Sequence, residues 1–265
     1  MLKLLWNIIF YKPTVFYKST IFKWTTKAAK QGVMRAQFNL GLMYFHGQGI
    51  TQNYEQAFQW FTKAAEQGDA KAQYSLGVLY DQGRGTPQNY EQAFQWYTKA
   101  AEQGDAEAEF NLALMYAEGQ GTTQNNEQAL KWYTKSAEQG YAAAQFNLGV
   151  MYENGQGTPK NYEQALKWYT TGAEQGLAQA QYNLGSMYAQ GQGTPKNYEQ
   201  ALKWITKAAE HGLAQAQYDL GSMYAQGQGT PQNDEQALQW YIKAAEQGNV
   251  QAHRKLMNKP ISAPV

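Results

Sequence analysis

Cysteine is missing altogether from the 265 residues, which excludes disulfides, thiolate metal sites and a cysteine nucleophile. That absence suits the cytosol, yet a periplasmic or secreted protein does not need disulfides either, so the compartment stays open with the cytoplasm placed first. Long hydrophobic runs are lacking as well: none reaches the roughly 18 apolar residues of a membrane-spanning helix, and mean hydropathy is −0.68. Neither sign of charge is in excess, with 22 Lys and Arg against 21 Asp and Glu. Such a balance gives no basic face of the kind that marks nucleic-acid binding. Histidine is sparse: His46, His211 and His253 stand apart without metal-ligand spacing. Neither a metal nor a cofactor is expected, and no residue set suggests catalysis.

What is present is a period. Trp60, Trp96, Trp132, Trp168, Trp204 and Trp240 recur every 36 residues, and Trp24 extends the series backwards by one step. A fixed period of this length signals a stacked array of supersecondary units rather than a globular domain. Each unit holds two helical patterns. In helix A of the second unit, Ala72, Leu76 and Tyr80 recur at i, i+4 and i+8, an apolar stripe, and Tyr74 lies on another face, so this helix is packed on more than one side. Helix B, from Tyr90 to Ala101, has a wide apolar face with Gln92, Gln95 and Lys99 outside it.

The boundaries are also written in residues. Asn53, Asn89, Asn125, Asn161, Asn197 and Asn233 precede helix B, each with Gln three positions on. That spacing predicts an asparagine version of the capping box, with Glu55 and its counterparts favouring the positive first turn. Gly68 and its equivalents supply the left-handed turn that ends helix B. The short link from Gly83 to Asn89 requires the two helices to run antiparallel. Gly41, Gly77, Gly149, Gly185 and Gly221 interrupt helix A, where glycine costs about 0.5–1 kcal/mol relative to alanine. Their recurrence predicts close approach of another helix backbone, and Ala113 in the third unit indicates room for a methyl.

With this period, the patterns Ala-x-Ala-x-x-x-Leu-Gly-x-x-Tyr, Gly-x-Gly-Thr-Pro-x-Asn-Tyr and Ala-Leu-x-Trp-Tyr-x-x-Ala-Ala-Glu-x-Gly closely resemble the Sel-1-like repeat family, relatives of the tetratricopeptide repeat. The resemblance implies an all-α, right-handed α/α superhelical solenoid of helix-turn-helix repeats. It further implies an adaptor or scaffold role, often in bacterial signalling, envelope or host-interaction settings. Some members carry a disulfide in each repeat, a feature that a cysteine-free chain does not inherit. The expected organisation is an apolar basic N-terminal segment (1–17), a half-repeat holding only helix B (18–33), six full repeats (34–249), a half-repeat capping helix (250–258) and a tail (259–265). Asn126 and Asp234 replace the first tyrosine of helix B, Thr123 the proline, and Ile205 the tyrosine after tryptophan. Thr171-Gly172 should weaken the fourth helix B. Arg254 takes the place of an aromatic residue, as a polar end cap requires.

Positions that change from unit to unit are free to meet solvent or a ligand. On helix A they are spaced i, i+4, i+7 and i+11, one helical face. In the tetratricopeptide arrays helix A lines the concave surface. Carried over, that gives an amide-rich partner-binding strip whose expected contacts are Arg35, Asn39, His46, Lys71, Asn111, Asn147, Asn154, Asn183, Gln190 and Gln226. Side-chain amides both donate and accept, which suits a peptide backbone or sugar hydroxyls; the competing reading is a merely solvated surface. The function expected is a non-enzymatic protein- or peptide-binding scaffold. The alternative is an envelope or secreted protein that binds glycan, cell wall or a host factor.

Other signals carry less. Gly-x-Gly-Thr-Pro lacks the preceding strand and following Lys-Ser/Thr of a phosphate loop. The tryptophans lie in the apolar face of helix B and read as core, so removing a buried one should cost about 3–5 kcal/mol. The first 30 residues carry Lys3, Lys12, Lys18, Lys23, Lys27 and Lys30 with no Asp or Glu. For Met1 to Phe16 three readings stand: an apolar cap on the first helix, a signal or anchor, and a start-site artefact. A basic, acid-free, aromatic segment also suits peripheral contact of residues 1–17 with an anionic membrane surface.

Overall fold

The computed structural model describes residues 13–257, with side chains from Thr20 onward. Fourteen α-helices and no strand lie among the described residues. The described residues fall into two compact units, divided between residues 136 and 137.

In the first unit α1 (Pro13–Lys30) is a lone helix B, followed by the pairs α2 (Met34–His46) with α3 (Tyr54–Glu66) and α4 (Ala70–Gln82) with α5 (Tyr90–Glu102). Next come α6 (Ala106–Glu118) and α7 (Asn126–Glu138), the latter reaching the division between the units. The second unit continues with α8 (Ala142–Asn154), α9 (Tyr162–Glu174), α10 (Ala178–Gln190), α11 (Tyr198–Glu210), α12 (Ala214–Gln226), α13 (Asp234–Glu246) and the short α14 (Val250–Met257). From α1 to α6, and again from α8 to α14, each helix packs on the next. The helix α1 begins ahead of the expected boundary at residue 18, with Pro13 at its first position, where the missing N–H costs nothing.

The sequence dictates these elements locally. Asn89 caps α5 by accepting a hydrogen bond from the Gln92 N–H at 2.9 Å, and the other five asparagines do the same. The reciprocal half of the expected capping box does not form. The Asn89 N–H donates instead to the Tyr80 carbonyl of α4 at 2.9 Å, which ties the link to helix A. Within that link Gly85 has φ +71°, and a Cβ there would run into the Tyr54 carbonyl of the preceding helix B. Both the left-handed backbone and the close approach demand glycine.

The mid-helix glycines require a correction. A Cβ on Gly77 would lie 2.6 Å from Cδ1 of the Tyr97 ring, and one on Gly41 would lie 2.5 Å from Cδ1 of Phe61. In these repeats an aromatic side chain of helix B, not a backbone, fills the notch. Backbone approach is seen at Gly185, where the Ala201 carbonyl oxygen would stand 3.1 Å from a Cβ.

It is therefore the residue after the tryptophan that anchors each repeat. Phe61, Tyr97, Tyr133, Tyr169, Ile205 and Tyr241 are all buried. Phe61 packs with Phe38, Ala57, Ala64, Ala65, Ala72, Leu76 and Leu79 in one such core. In the second unit Tyr169 and Ile205 hold the equivalent places among alanines, leucines and methionines. Of the six repeat tryptophans only Trp132 and Trp204 are buried; the others are half-buried. They lie at the seam with the preceding repeat, Trp60 beside Ala29, Ala36 and Leu40, and Trp96 against the core around Phe61. Lys99 and Lys135 place their ammonium groups 4.0 Å from the ring centroids of Trp96 and Trp132, a cation–π cover on the outer face.

Candidate functional site

Helix A exposes the strip that varies between repeats because its other faces are committed to packing. Among the ten expected contact residues, Arg35, Asn39, His46, Lys71, Asn154, Gln190 and Gln226 are exposed, and Asn111, Asn147 and Asn183 are half-buried. None is buried, although the same helices bury Leu40, Leu76, Leu112, Leu148, Leu184 and Leu220 completely.

In the first unit two clefts open between successive A helices. One, of about 260 Å³, is lined by Leu42, Phe45, His46, Phe61, Tyr74, Ser75 and Val78. His46 stands edge-on to Phe45, with ring centroids 5.0 Å apart and planes at 82°. The second, of about 410 Å³, is lined by Phe38, Lys71, Tyr74, Ser75, Asp105, Ala106 and Glu107. The first is an apolar slot with a histidine at its rim; the second has a lysine and carboxylates around an aromatic floor. Ser75 and Tyr74 belong to both. Of the expected residues, His46 and Lys71 are thus brought into clefts, whereas Arg35, Asn39 and Asn111 line neither of the two.

In the second unit the strip is tied down from within. The Tyr169 hydroxyl donates to Glu153 Oε2 at 2.6 Å and also meets the Asn183 side chain. Burial, followed by the Glu153 hydrogen bond and charge, pushes this phenol far above its usual range. The Tyr182 hydroxyl donates to Asp219 Oδ2 at 2.8 Å, and Gln215 Nε2 donates to both carboxylate oxygens at 3.2 Å. Burial is the main cause that raises Asp219 above the ordinary aspartate value, with the hydrogen bonds from Tyr182 and Gln215 opposing it. Burial and then the Asp219 charge push Tyr182 up to about 12. Asp219 stands where other repeats carry Asn39, Asn111, Asn147 and Asn183. Its departure from that series was the signal available in the sequence.

Beneath the strip lies a polar network of glutamines that recur in nearly every unit, and whose recurrence does not by itself distinguish packing from hydrogen bonding. Gln73, buried in α4, donates from Nε2 to the Ala65 carbonyl at the end of the preceding helix B, at 3.1 Å. Its Oε1 accepts from Gln103 at the end of the following helix B, at 2.7 Å. The pairs Gln37–Gln67, Gln145–Gln175 and Gln217–Gln247 repeat the arrangement. Where His211 replaces the second glutamine, Gln181 Oε1 is buried with no partner. Among the described residues no three His, Asp or Glu side chains gather into a metal-binding group, and no helix is long and apolar enough to cross a membrane.

The family model of the Sel1 repeat matches residues 22–33, 35–69, 70–105, 106–141, 142–177, 178–213 and 214–249. No curated protein matches the chain. Among solved structures, a protective antigen present in uropathogenic Escherichia coli strains, with an SLR fold, is 37% identical over 88% of this chain, with a TM-score of 0.86. The chain spans 50% of that antigen's length. A Sel1 repeat protein from Oxalobacter formigenes is 40% identical, with 89% of this chain and 68% of that one covered and a TM-score of 0.77. The Pseudomonas aeruginosa protein pilF is similar in fold alone, at 18% identity over 88% of this chain and 100% of its own, with a TM-score of 0.61.

Proposed function

Because the chain belongs to the Sel1 repeat family, with its repeats matched between residues 22 and 249, we propose that it is a non-enzymatic adaptor that holds a protein or peptide partner along the variable face of its A helices. The observation that carries this reading is the pair of adjoining clefts in the first unit, which share Ser75 and Tyr74. Pockets that bind are concave and mostly apolar, with a few placed polar groups. The slot between Leu42 and Val78 suits one apolar side chain of an extended segment. The neighbouring cleft, with Lys71 on one repeat and Glu107 on the next, suits a polar or charged residue beside it. In the second unit, taken by itself, Asn147, Asn154, Asn183 and Gln190 give the A helices an amide character suited to main-chain groups of a partner.

Crosslinking pull-down with the full chain tests this. Ser75→Trp places an indole on the wall that the two clefts share, from a half-exposed position, and is expected to weaken recovery of the partner at least about ten-fold while helicity is unchanged. Asn147→Ala with Asn183→Ala is expected to weaken it. Undiminished recovery by both variants would remove the helix A face as the binding surface. Retention by the protein of cell-wall glycan in place of any protein would favour the envelope alternative.

A further inference from the structure

The N-terminal end of the first unit departs from the repeat pattern in a consistent direction. Aligned by the 36-residue period, Lys30 occupies the place of Glu66, Glu102, Glu138, Glu174, Glu210 and Glu246, so a position that is acidic in six repeats is reversed in charge. Ser19 stands where the others have Glu55 and its equivalents. No acidic residue occurs before Glu55, whereas Lys23, Lys27, Lys30 and Arg35 all lie exposed on α1 and α2. Among them stand exposed apolar side chains: Trp24, 67% exposed, with Ile21, Val33 and Met34. In later repeats the counterpart of Trp24 lies against the core of the preceding repeat. Here it lies open with Lys27 5.8 Å from the ring centroid.

Missing packing alone does not account for this end. The counterpart of Phe61 and Tyr97, the aromatic residue that fills the glycine notch of helix A, is Thr25 in α1. Ile21 replaces an alanine that is buried in every other repeat. This face has lost the knob that would seat a helix A and gained apolar bulk at Ile21; at about 100° per residue, Trp24 lies on α1 between Ile21 on one side and Lys27, Lys23 and Lys30 on the other. A second copy packed end to end would bring lysine against lysine, or against the basic residues His253, Arg254 and Lys255 of α14, and like charges repel. Nucleic acid would leave Ile21 and Met34 facing phosphates. A lipid interface satisfies both halves, since lysines bind anionic headgroups while tryptophan and aliphatic side chains enter the boundary region.

We propose that Ile21, Lys23, Trp24, Lys27, Lys30 and Met34 form a docking face for an anionic lipid surface, leaving the variable faces of the A helices free for a partner. Each basic residue near such a surface contributes about five-fold in affinity, so the three lysines of α1 together dominate binding.

The test is co-sedimentation of the full chain with phosphatidylcholine vesicles, with and without phosphatidylserine. Binding is expected only with phosphatidylserine, and it should fall steeply with salt. Lys23→Glu, Lys27→Glu and Lys30→Glu together should lower it by about a hundred-fold or more with helicity retained. A matched variant, Lys160→Glu with Lys167→Glu and Lys196→Glu, carries the same net charge and should still bind. Brominated lipid should quench the tryptophan emission of the parent chain, and Trp24→Phe should remove much of that quenching. The proposal is overturned by absence of phosphatidylserine-dependent binding, by equal loss in the matched variant, or by quenching that does not depend on Trp24. Tighter binding to single-stranded RNA than to the vesicles would also overturn it, in favour of a nucleic-acid face. Because these readouts do not involve the clefts, failure here leaves the partner-binding reading standing.

Discussion

A single substitution in the repeat series leaves a measurable defect at His211. Glutamine at this position donates to the buried glutamine of helix A, at 2.5–2.8 Å in four repeats, and His211 leaves Gln181 Oε1 unpaired. A buried acceptor without a donor costs about 1–3 kcal/mol. His211→Gln should therefore stabilise the chain by about 1 kcal/mol in urea unfolding, and an unchanged midpoint would count against this role of the network. Asp219 gives a second residue-level test. Its carboxyl is raised chiefly by burial, so the folded chain holds that proton more tightly than the unfolded chain. The associated stability is present below the ordinary aspartate value and is lost as pH rises through the raised one. Asp219→Asn should gain on the parent chain over that acidic window and keep a constant lead above it; a difference in urea midpoint that does not vary with pH would contradict the burial argument. Both features left marks in the sequence as departures from a series. What could not be read was the direction of the missing bond, because identity across repeats does not separate a packed side chain from a buried hydrogen-bonding one.

At the level of the helix the boundaries were legible because caps are local chemistry. Asparagine three residues before a free N–H, and glycine where the backbone turns left-handed, act without help from distant residues. The choice of core anchor was not legible. Trp96 and Tyr97 are neighbours on one broad apolar face, and only the notch at Gly77 decides that Tyr97 is the fully buried one. The helix α9 shows what this costs when the pattern lapses. Thr171 leaves Trp168 without the i+3 lysine found over other repeat tryptophans, and Lys167 approaches its ring centroid at 5.1 Å. Gly172 replaces the alanine found at the equivalent position of four other full repeats, and a Cβ there would lie 3.2 Å from the Ala180 Cβ, a tight contact between two small groups. Relief of the helical glycine is worth about 0.5–1 kcal/mol, and those four repeats accommodate the same methyl. Gly172→Ala should raise the urea midpoint, by an amount corresponding to roughly half a kcal/mol. A lower midpoint would mean that α10 cannot yield at Ala180.

Across the whole molecule, stability in a repeat array is a sum of local terms, since each helix rests on its sequence neighbours. The same locality explains why the array and its period could be read from spaced tryptophans and glycines, while the clefts could not: their walls come from A helices of successive repeats, a property of no single repeat. It also has a consequence for unfolding. Tyr97 is buried between helices of the first unit, and Tyr97→Ala should cost about 3–5 kcal/mol there. If the terms are local, native-state hydrogen exchange of the variant will show lost protection in α4, α5 and α6, with α9, α10 and α11 close to the parent chain. The short α14, whose main neighbour among the described helices is α13, should exchange quickly in both. Equal loss of protection in both units would show that the chain unfolds as one cooperative body. In that case a defect in any one repeat would lower the occupancy of every face at once, and the partner-binding and lipid-docking surfaces could no longer be tuned independently.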